Sequence, residues 1–231
     1  MSLAKILNFI NGKASLIVST LFSTLSKENC VPPVIVRNIF AKMFTYINTQ
    51  VFNSILLKRE CCTMYNGDYV KYGLEELELW CCEAKEEYAG TAWDELKHIR
   101  QAVGFLAIYN KHKVSYGEIA NDLCPILSVT QLYRICTLYN DDIFNTPSVS
   151  HDVITRMRKQ ISEDSDDASS SEFLLDFDEN SSRISFTAEE LSTFLQVEDF
   201  EEVKAVVDLA KYDALSLKNG RKLITFGHGI A

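Results

Sequence analysis

The side chains in this chain best equipped for chemistry are thiols. The stretch ECCTMYNGDYVKYGLEELELWCC, from Glu60 to Cys82, carries two adjacent-cysteine pairs, Cys61-Cys62 and Cys81-Cys82, separated by eighteen residues. Four sulfurs raise the question of zinc. Structural zinc takes ligands about two to four residues apart, so that the turn between them lets both sulfurs reach one ion at about 2.3 Å. Adjacent cysteines do not offer that turn. A helix beginning near Asp68 also carries Cys81 about 20 Å from its start at about 1.5 Å per residue, so the loop bearing Cys61 and Cys62 would have to fold back along it. Cys81 instead continues the apolar face of Val70, Leu74 and Leu77. The thiols are expected in the core, with no metal and no cofactor.

A catalytic cysteine or serine needs a base within hydrogen-bond reach and an orienting group beyond it. The chain has four histidines: His98 in a charged helix, His112 between two lysines, His151 at a helix start and His228 in the tail. None stands in a nucleophile elbow, and no phosphate-cradling G-x-x-x-x-G-K-[ST] or G-x-G-x-x-G run occurs. The cluster Glu75, Glu76 and Glu78 spreads around a helix and reads as a solvated face. No catalytic residue is assigned, and a non-enzymatic chain is expected.

What remains is surface. Lys97, His98 and Gln101 fall on one side of a segment whose other side is Trp93, Leu96, Ile99, Val103 and Leu106. Tyr65, Tyr69, Tyr72 and Tyr88 gather around the preceding helix, and tyrosine is enriched at interfaces, although core packing is its more common fate.

Positioning such a surface requires helices, and apolar residues do recur at three and four along the 231 residues. Leu3, Ile6, Leu7 and Ile10, then Leu16, Ile17, Leu21 and Leu25, mark one or two helices. Pro32-Pro33 opens a long one with the stripe Ile35, Ile39, Met43, Phe44, Ile47, Val51 and Ile55. Asn66-Gly67-Asp68 reads as a turn before a helix bearing Val70, Leu74, Leu77, Cys81 and Ala84. Four capping boxes, Thr91-x-x-Asp94, Ser115-x-x-Glu118, Ser128-x-x-Gln131 and Thr187-x-x-Glu190, predict the starts of later helices. The fold class is therefore all-α, an antiparallel multi-helix bundle over residues 1–160.

The segment SEDSDDASSSEFLLDFDENSSR carries eight acids before Arg183 and one small apolar island, Phe173-Leu174-Leu175. That composition buries too little to offset ordering entropy, so residues 161–185 are expected to be a disordered acidic linker. Ser162, Ser165 and Ser169 have acids downstream and are candidate phosphorylation sites that would extend it further. A short C-terminal helical piece is expected over 186–231, frayed after Lys218.

Charge and cysteine count narrow the partners. Residues 1–160 hold 17 basic and 16 acidic side chains, and residues 161–231 hold 6 and 16, giving +1 and −10 of the net −9. No basic face for phosphate counterion release emerges, so no nucleic-acid partner is expected. Seven cysteines, an odd number, suit reduced thiols in the cytosol. The uncharged run ASLIVSTLFSTLS between Lys13 and Lys27 is thirteen residues long, short of the about 20 that span a bilayer, and six of its residues are Ser or Thr. Neither export nor a membrane span is expected.

Several long ordered blocks resemble one family. VPPVIVRNIFAKMFTYINTQVFNSILLKRECC, NGDYVKYGLEELELWC, EEYAGTAWDELKHIRQAVGFL and DLCPILSVTQLYRICTLYNDD are similar to the dilute domain in the globular tail of plant class XI myosins, over roughly residues 15–195. The resemblance implies a helical cargo-binding domain, non-catalytic in itself, that attaches an actin motor to organelles or vesicles through membrane-bound adaptor proteins and Rab GTPases in the cytoplasm. The motor, IQ helix, coiled coil and first tail subdomain have no counterpart in these blocks. The alternative implied is a half-domain that docks onto full-length myosin tails through their first subdomain. Fungal members of the family contact vesicles through a tyrosine eight residues before a helical tryptophan and a glutamine on the next helix. Counting from Trp80 gives Tyr72, and the QAVGFL block gives Gln101, with His98 about one turn earlier.

Overall fold

The computed structural model describes residues 24, 28–29, 31–141, 148–164 and 173–176. These belong to the first of two units, Met1–Ser185. The apolar stripe expected between Leu3 and Leu25, the Thr187 box and the C-terminal piece from 186 lie outside the described residues.

Five helices carry the described fold: α1 (Pro33–Leu57), α2 (Met64–Tyr88), α3 (Lys97–Leu106), α4 (Val129–Leu138) and α5 (His151–Asp164). Short 3-10 turns at Arg59–Cys61, Ala92–Leu96 and Lys111–Lys113, and a π-type turn at Glu118–Leu123, join them. Among the described residues there is no strand, and the fold is all-α.

Pro33 occupies the first turn of α1, where a missing N–H costs nothing. The lower part of its expected stripe is buried as read: Phe44, Ile47, Val51 and Ile55. Higher up, the buried face is Val36 and Phe40, whereas Ile35, Ile39 and Met43 are half-buried. This end of α1 is apolar on several sides, so period alone does not choose a face. The partner chooses it, because the Trp80 ring of α2 sits 4.2 Å from Phe40 and 6.1 Å from Phe44, centroid to centroid.

The expected turn at Asn66-Gly67-Asp68 is instead part of α2. Thr63 caps that helix, its hydroxyl accepting from the Asn66 N–H at 3.1 Å, so the helix begins at Met64, four residues before the start expected near Asp68. Gly67 is there for contact: a Cβ on it would stand 2.6 Å from the Leu106 Cβ of α3. Gly to Ala in a helix interior ordinarily gains about 1 kcal/mol. At Gly67 the sign should reverse, and Gly67→Ala is expected to lose about 1–3 kcal/mol in urea unfolding as α2 and α3 are forced apart.

Of the boxes, Ser128 and Gln131 cap α4 reciprocally (3.0 and 3.2 Å), and Ser115 and Glu118 do the same (2.8 and 3.3 Å) before the π-type turn. Thr91 does not cap through its hydroxyl. Its carbonyl accepts from the Asp94 N–H at 2.9 Å, giving the 3-10 turn Ala92–Leu96.

Chain direction follows from the pairings. α2 returns antiparallel to α1, and the strip from Glu87 to Ile99 then climbs alongside α1: Arg37 meets the Glu87 carbonyl, Thr45 meets Glu95 at 3.0 Å and Asn48 meets Ile99 at 3.0 Å. α3 is therefore antiparallel to α2. Below, Arg134 of α4 donates to the Leu56 carbonyl at the end of α1 (2.6 Å), and α5 packs back along α4, with Arg158 on the Tyr133 hydroxyl at 3.2 Å.

Two pieces of the expected linker differ from the expectation. α5 runs through Asp164, supported by an i,i+4 pair of Lys159 with Glu163 at 3.6 Å. Phe173, Leu174 and Leu175 pack on the core between α1 and α4. Local composition does not register this, because the polar partners that hold the segment, Asn53 and Gln131, come from elsewhere in the chain.

Candidate functional site

α3 carries three of the four residues expected to meet a partner, and its start is unusual. Leu96 precedes it and offers no capping side chain. The orphan N–H of Ile99 is satisfied from another helix, by the Asn48 Oδ1 of α1 at 3.0 Å. The amide of the buried Asn48 also faces His98 Nδ1 at 3.3 Å, and Phe52 lies 5.4 Å from the imidazole. Burial, and then the neighbouring Lys97 charge, hold the His98 pKa below its ordinary value. A neutral imidazole can accept from Asn48, so His98 serves the α1–α3 joint. Asn48→Ala should strand the Ile99 N–H and lower the unfolding free energy by about 1–3 kcal/mol, measured in urea.

Lys97, Gln101 and Gly104 line one side of a groove of about 620 Å³, and Leu123 and Ile126 line the other. Leu123 and Ile126 are 39% and 45% exposed, an apolar lip left to solvent. The far wall is positioned by the π-type turn, closed by the Cys124 N–H on the Ile119 carbonyl at 2.8 Å, and by Gln101 itself. The Gln101 Oε1 accepts from the Ile126 N–H at 3.0 Å, and its carbonyl accepts from the Cys124 thiol at 3.7 Å. Gln101 thus shapes the groove, while Lys97 stands exposed at its edge.

Tyr72 is 60% exposed on the outer side of α2 and does not line this groove. α2 meets α3 at Gly67 and Leu106, and Gln101 lies five residues from Leu106, about 140° round the helix at about 100° per residue. The structure therefore joins Lys97 and Gln101 in one groove, sets His98 into the joint behind it, and keeps Tyr72 apart. Of the other tyrosines, Tyr65 is exposed and stacks on Tyr69 at 6.4 Å, whereas Tyr88 is buried. Ser162 lies in the last turn of α5, donating to the Arg158 carbonyl at 3.0 Å. Ser165 and Ser169 lie outside the described residues.

Of the four thiols that opened the question, Cys61 and Cys62 are core groups as expected, whereas Cys82 is not. Cys61 and Cys62 are buried, Cys81 is half-buried and Cys82 exposed. Cys62 donates to the Ile135 carbonyl at 3.3 Å, tying the α1–α2 loop to α4. Burial pushes Cys62, Cys81 and Cys124 up to about 12, against the depressed values that reactive thiolates show. Among the described residues, no three His, Cys, Asp or Glu side chains gather as metal ligands would, and no helix is long and apolar enough to cross a membrane.

The fold is a helical array with an apolar-lipped groove, and comparison with known proteins shows what it is similar to. Residues 38–143 match the family described as the DIL domain, and the chain carries a dilute domain of the myosin-tail kind. It is 57% identical over 199 residues to Myosin-14 of Arabidopsis thaliana, covering 86% of this chain and 13% of that protein. It is 54% identical over 207 residues to Myosin-6 of the same plant, covering 90% and 13%. The chain thus spans about an eighth of the length of these relatives. Among solved structures, a yeast myosin 5 cargo binding domain superposes with a TM-score of 0.64 at 14% identity, over 82% of this chain and 49% of that one. A Myo2 GTD in complex with Mmr1 superposes with a TM-score of 0.60 at 15% identity, over 83% and 44%.

Proposed function

We propose that this chain is a cargo-binding module, itself non-catalytic, that docks membrane-bound adaptor proteins and Rab GTPases on vesicles or organelles for actin-based transport. The observation that carries it is the shared fold with a myosin 5 cargo binding domain, joined to more than 50% identity with plant myosins. The solved Myo2 GTD is in complex with Mmr1, which supports a second macromolecule as the class of partner, here taken to be an adaptor. In this reading Lys97 and the lip of Leu123 and Ile126 make contact, Gln101 and His98 hold the groove in shape, and Tyr72 is a second contact on α2. A cytoplasmic site of action, peripheral to membranes through the adaptor, follows from the same reading.

The test pairs Tyr72→Ala with Lys97→Glu, both exposed and outside the joint, leaving Gln101 in place to hold Ile126. Adaptor recovery in pull-down should fall while the helical circular dichroism stays unchanged. Unchanged recovery with both substitutions rejects the surface.

A second reading has one observation in its favour. The chain corresponds to under half of each solved tail domain it superposes on, so a complementary half exists in those proteins. Here the module docks onto the first subdomain of a full-length myosin tail. Co-purification with that isolated subdomain, and not with adaptors, selects this reading. Ser162 is a candidate phosphorylation site in both. A phosphate at the carboxyl end of α5 would meet the negative end of the helix dipole and loosen its last turn.

A further inference from the structure

The seat that α1 and α4 provide for Phe173–Leu175 grips a short peptide chiefly by its backbone. Asn53 of α1 uses both ends of its amide on one residue, donating to the Leu175 carbonyl at 2.8 Å and accepting the Leu175 N–H at 2.9 Å. Gln131 of α4 donates to the Phe173 carbonyl at 2.9 Å. Backbone groups are the same in every sequence, so these three bonds would hold any chain that entered. Selection comes from side chains: the Arg134 guanidinium lies 4.5 Å over the Phe173 ring, and Leu174 and Leu175 pack half-buried against the core. Arg134 is itself fixed by donating to the Leu56 carbonyl at 2.6 Å, so the cation is aimed before any ring arrives. The occupant lies 122 residues from Asn53 and 42 from Gln131 in sequence, so its polar partners come from other elements. A scaffold that meets a segment with a paired amide, a second amide and an aimed guanidinium has the parts of a peptide-recognition site.

We propose that this seat is a peptide-binding site occupied in cis, and that its ligand in trans is a partner segment of aromatic-Leu-Leu type with acidic neighbours, which displaces Phe173–Leu175. The partner chemistry is taken from the occupant, since the flanks in this chain are Glu172 and Asp176. Binding in trans then competes with the chain's own segment. The parent chain should bind weakly, and a chain whose segment has been removed should bind well.

A fluorescein-labelled peptide of sequence SEFLLDF, followed by anisotropy, tests this on the full chain. With Phe173→Ser, Leu174→Ser and Leu175→Ser combined, affinity should rise at least about tenfold over the parent chain. Adding Asn53→Ala, which removes two backbone bonds, should lower it again by about tenfold. A folded triple variant that binds the peptide no better than the parent, or binding indifferent to Asn53, overturns the proposal. If the triple variant fails to fold, Phe173→Ala alone serves: it removes the ring from Arg134 and from the core edge, and a peptide affinity equal to that of the parent overturns the proposal equally.

Discussion

Lys111→Ala is expected to lower the free energy of unfolding by about 3–5 kcal/mol, a large share of the about 5–15 kcal/mol that holds a domain together. Lys111 is fully buried. Its ammonium donates to the Leu106 carbonyl at 2.6 Å and to the Ile108 carbonyl, and it rests 4.2 Å over the Tyr139 ring. Leu106 ends α3, so its carbonyl is among those a helix terminus leaves without partners, at the negative end of the dipole. Lys111 caps α3 through space. Alanine would leave two carbonyls without that donor and open a cavity the length of the side chain. Lys111→Met separates the effects, because it keeps most of the volume and removes the donor. Its loss in urea unfolding should be about half that of alanine. Equal losses for the two would assign the effect to capping alone, and a loss under about 1 kcal/mol for alanine would contradict the role given to Lys111.

The second large effect is expected in alkali. Burial raises the thiols of Cys62 and Cys124 from 9.0 to about 12, and raises Cys136 as well. Above pH 9.0 the unfolded chain releases thiol protons that the folded chain keeps, so it binds fewer protons and stability falls as pH rises. Each deeply buried thiol removes about 1.4 kcal/mol per pH unit in that window, about 4 kcal/mol for three. Lys111 acts in the opposite sense, because burial lowers it from 10.5 to about 8, and between those values stability rises with pH. Its share is about 1.4 kcal/mol per unit, leaving a net loss of about 3 kcal/mol per unit between about pH 9 and 10.5. Half-buried Cys81, also pushed up to about 12, adds in the direction of loss. Urea midpoints taken across this range should fall steeply, and Cys136→Ala should make the fall shallower. A flat profile through the range would show that the thiols are not desolvated as their packing implies.

Much of the helical order was legible in the sequence, because its signals are local. Pro32-Pro33, the Ser115 and Ser128 boxes, and the Val70, Leu74, Leu77 face each need only a few neighbouring residues. What escaped was whatever a distant residue decides. Gly67 reads as turn chemistry until Leu106 is seen 2.6 Å from where its Cβ would be. Lys111 enters the sequence reading only as a neighbour of His112, because nothing local shows that the Leu106 and Ile108 carbonyls take its ammonium as donor. Phe173-Leu174-Leu175 reads as an island in an acidic linker until Asn53, 122 residues earlier, supplies its partners. The proposed docking surface was half legible for the same reason. Periodicity set Lys97 and Gln101 on one side of α3, but it could not show that Gln101 is engaged with Ile126, that His98 belongs to Asn48, or that Tyr72 stands apart from the groove.

The central proposal, that this chain reaches membranes through proteins seated on them, is tested most directly by flotation. The purified chain is mixed with vesicles isolated from plant cells, one portion intact and one shaved of its surface proteins by protease that is then inactivated. Cargo binding through adaptors predicts that the chain floats with intact vesicles and stays at the bottom of the gradient with shaved ones. Equal flotation with both, or none with either, would contradict it.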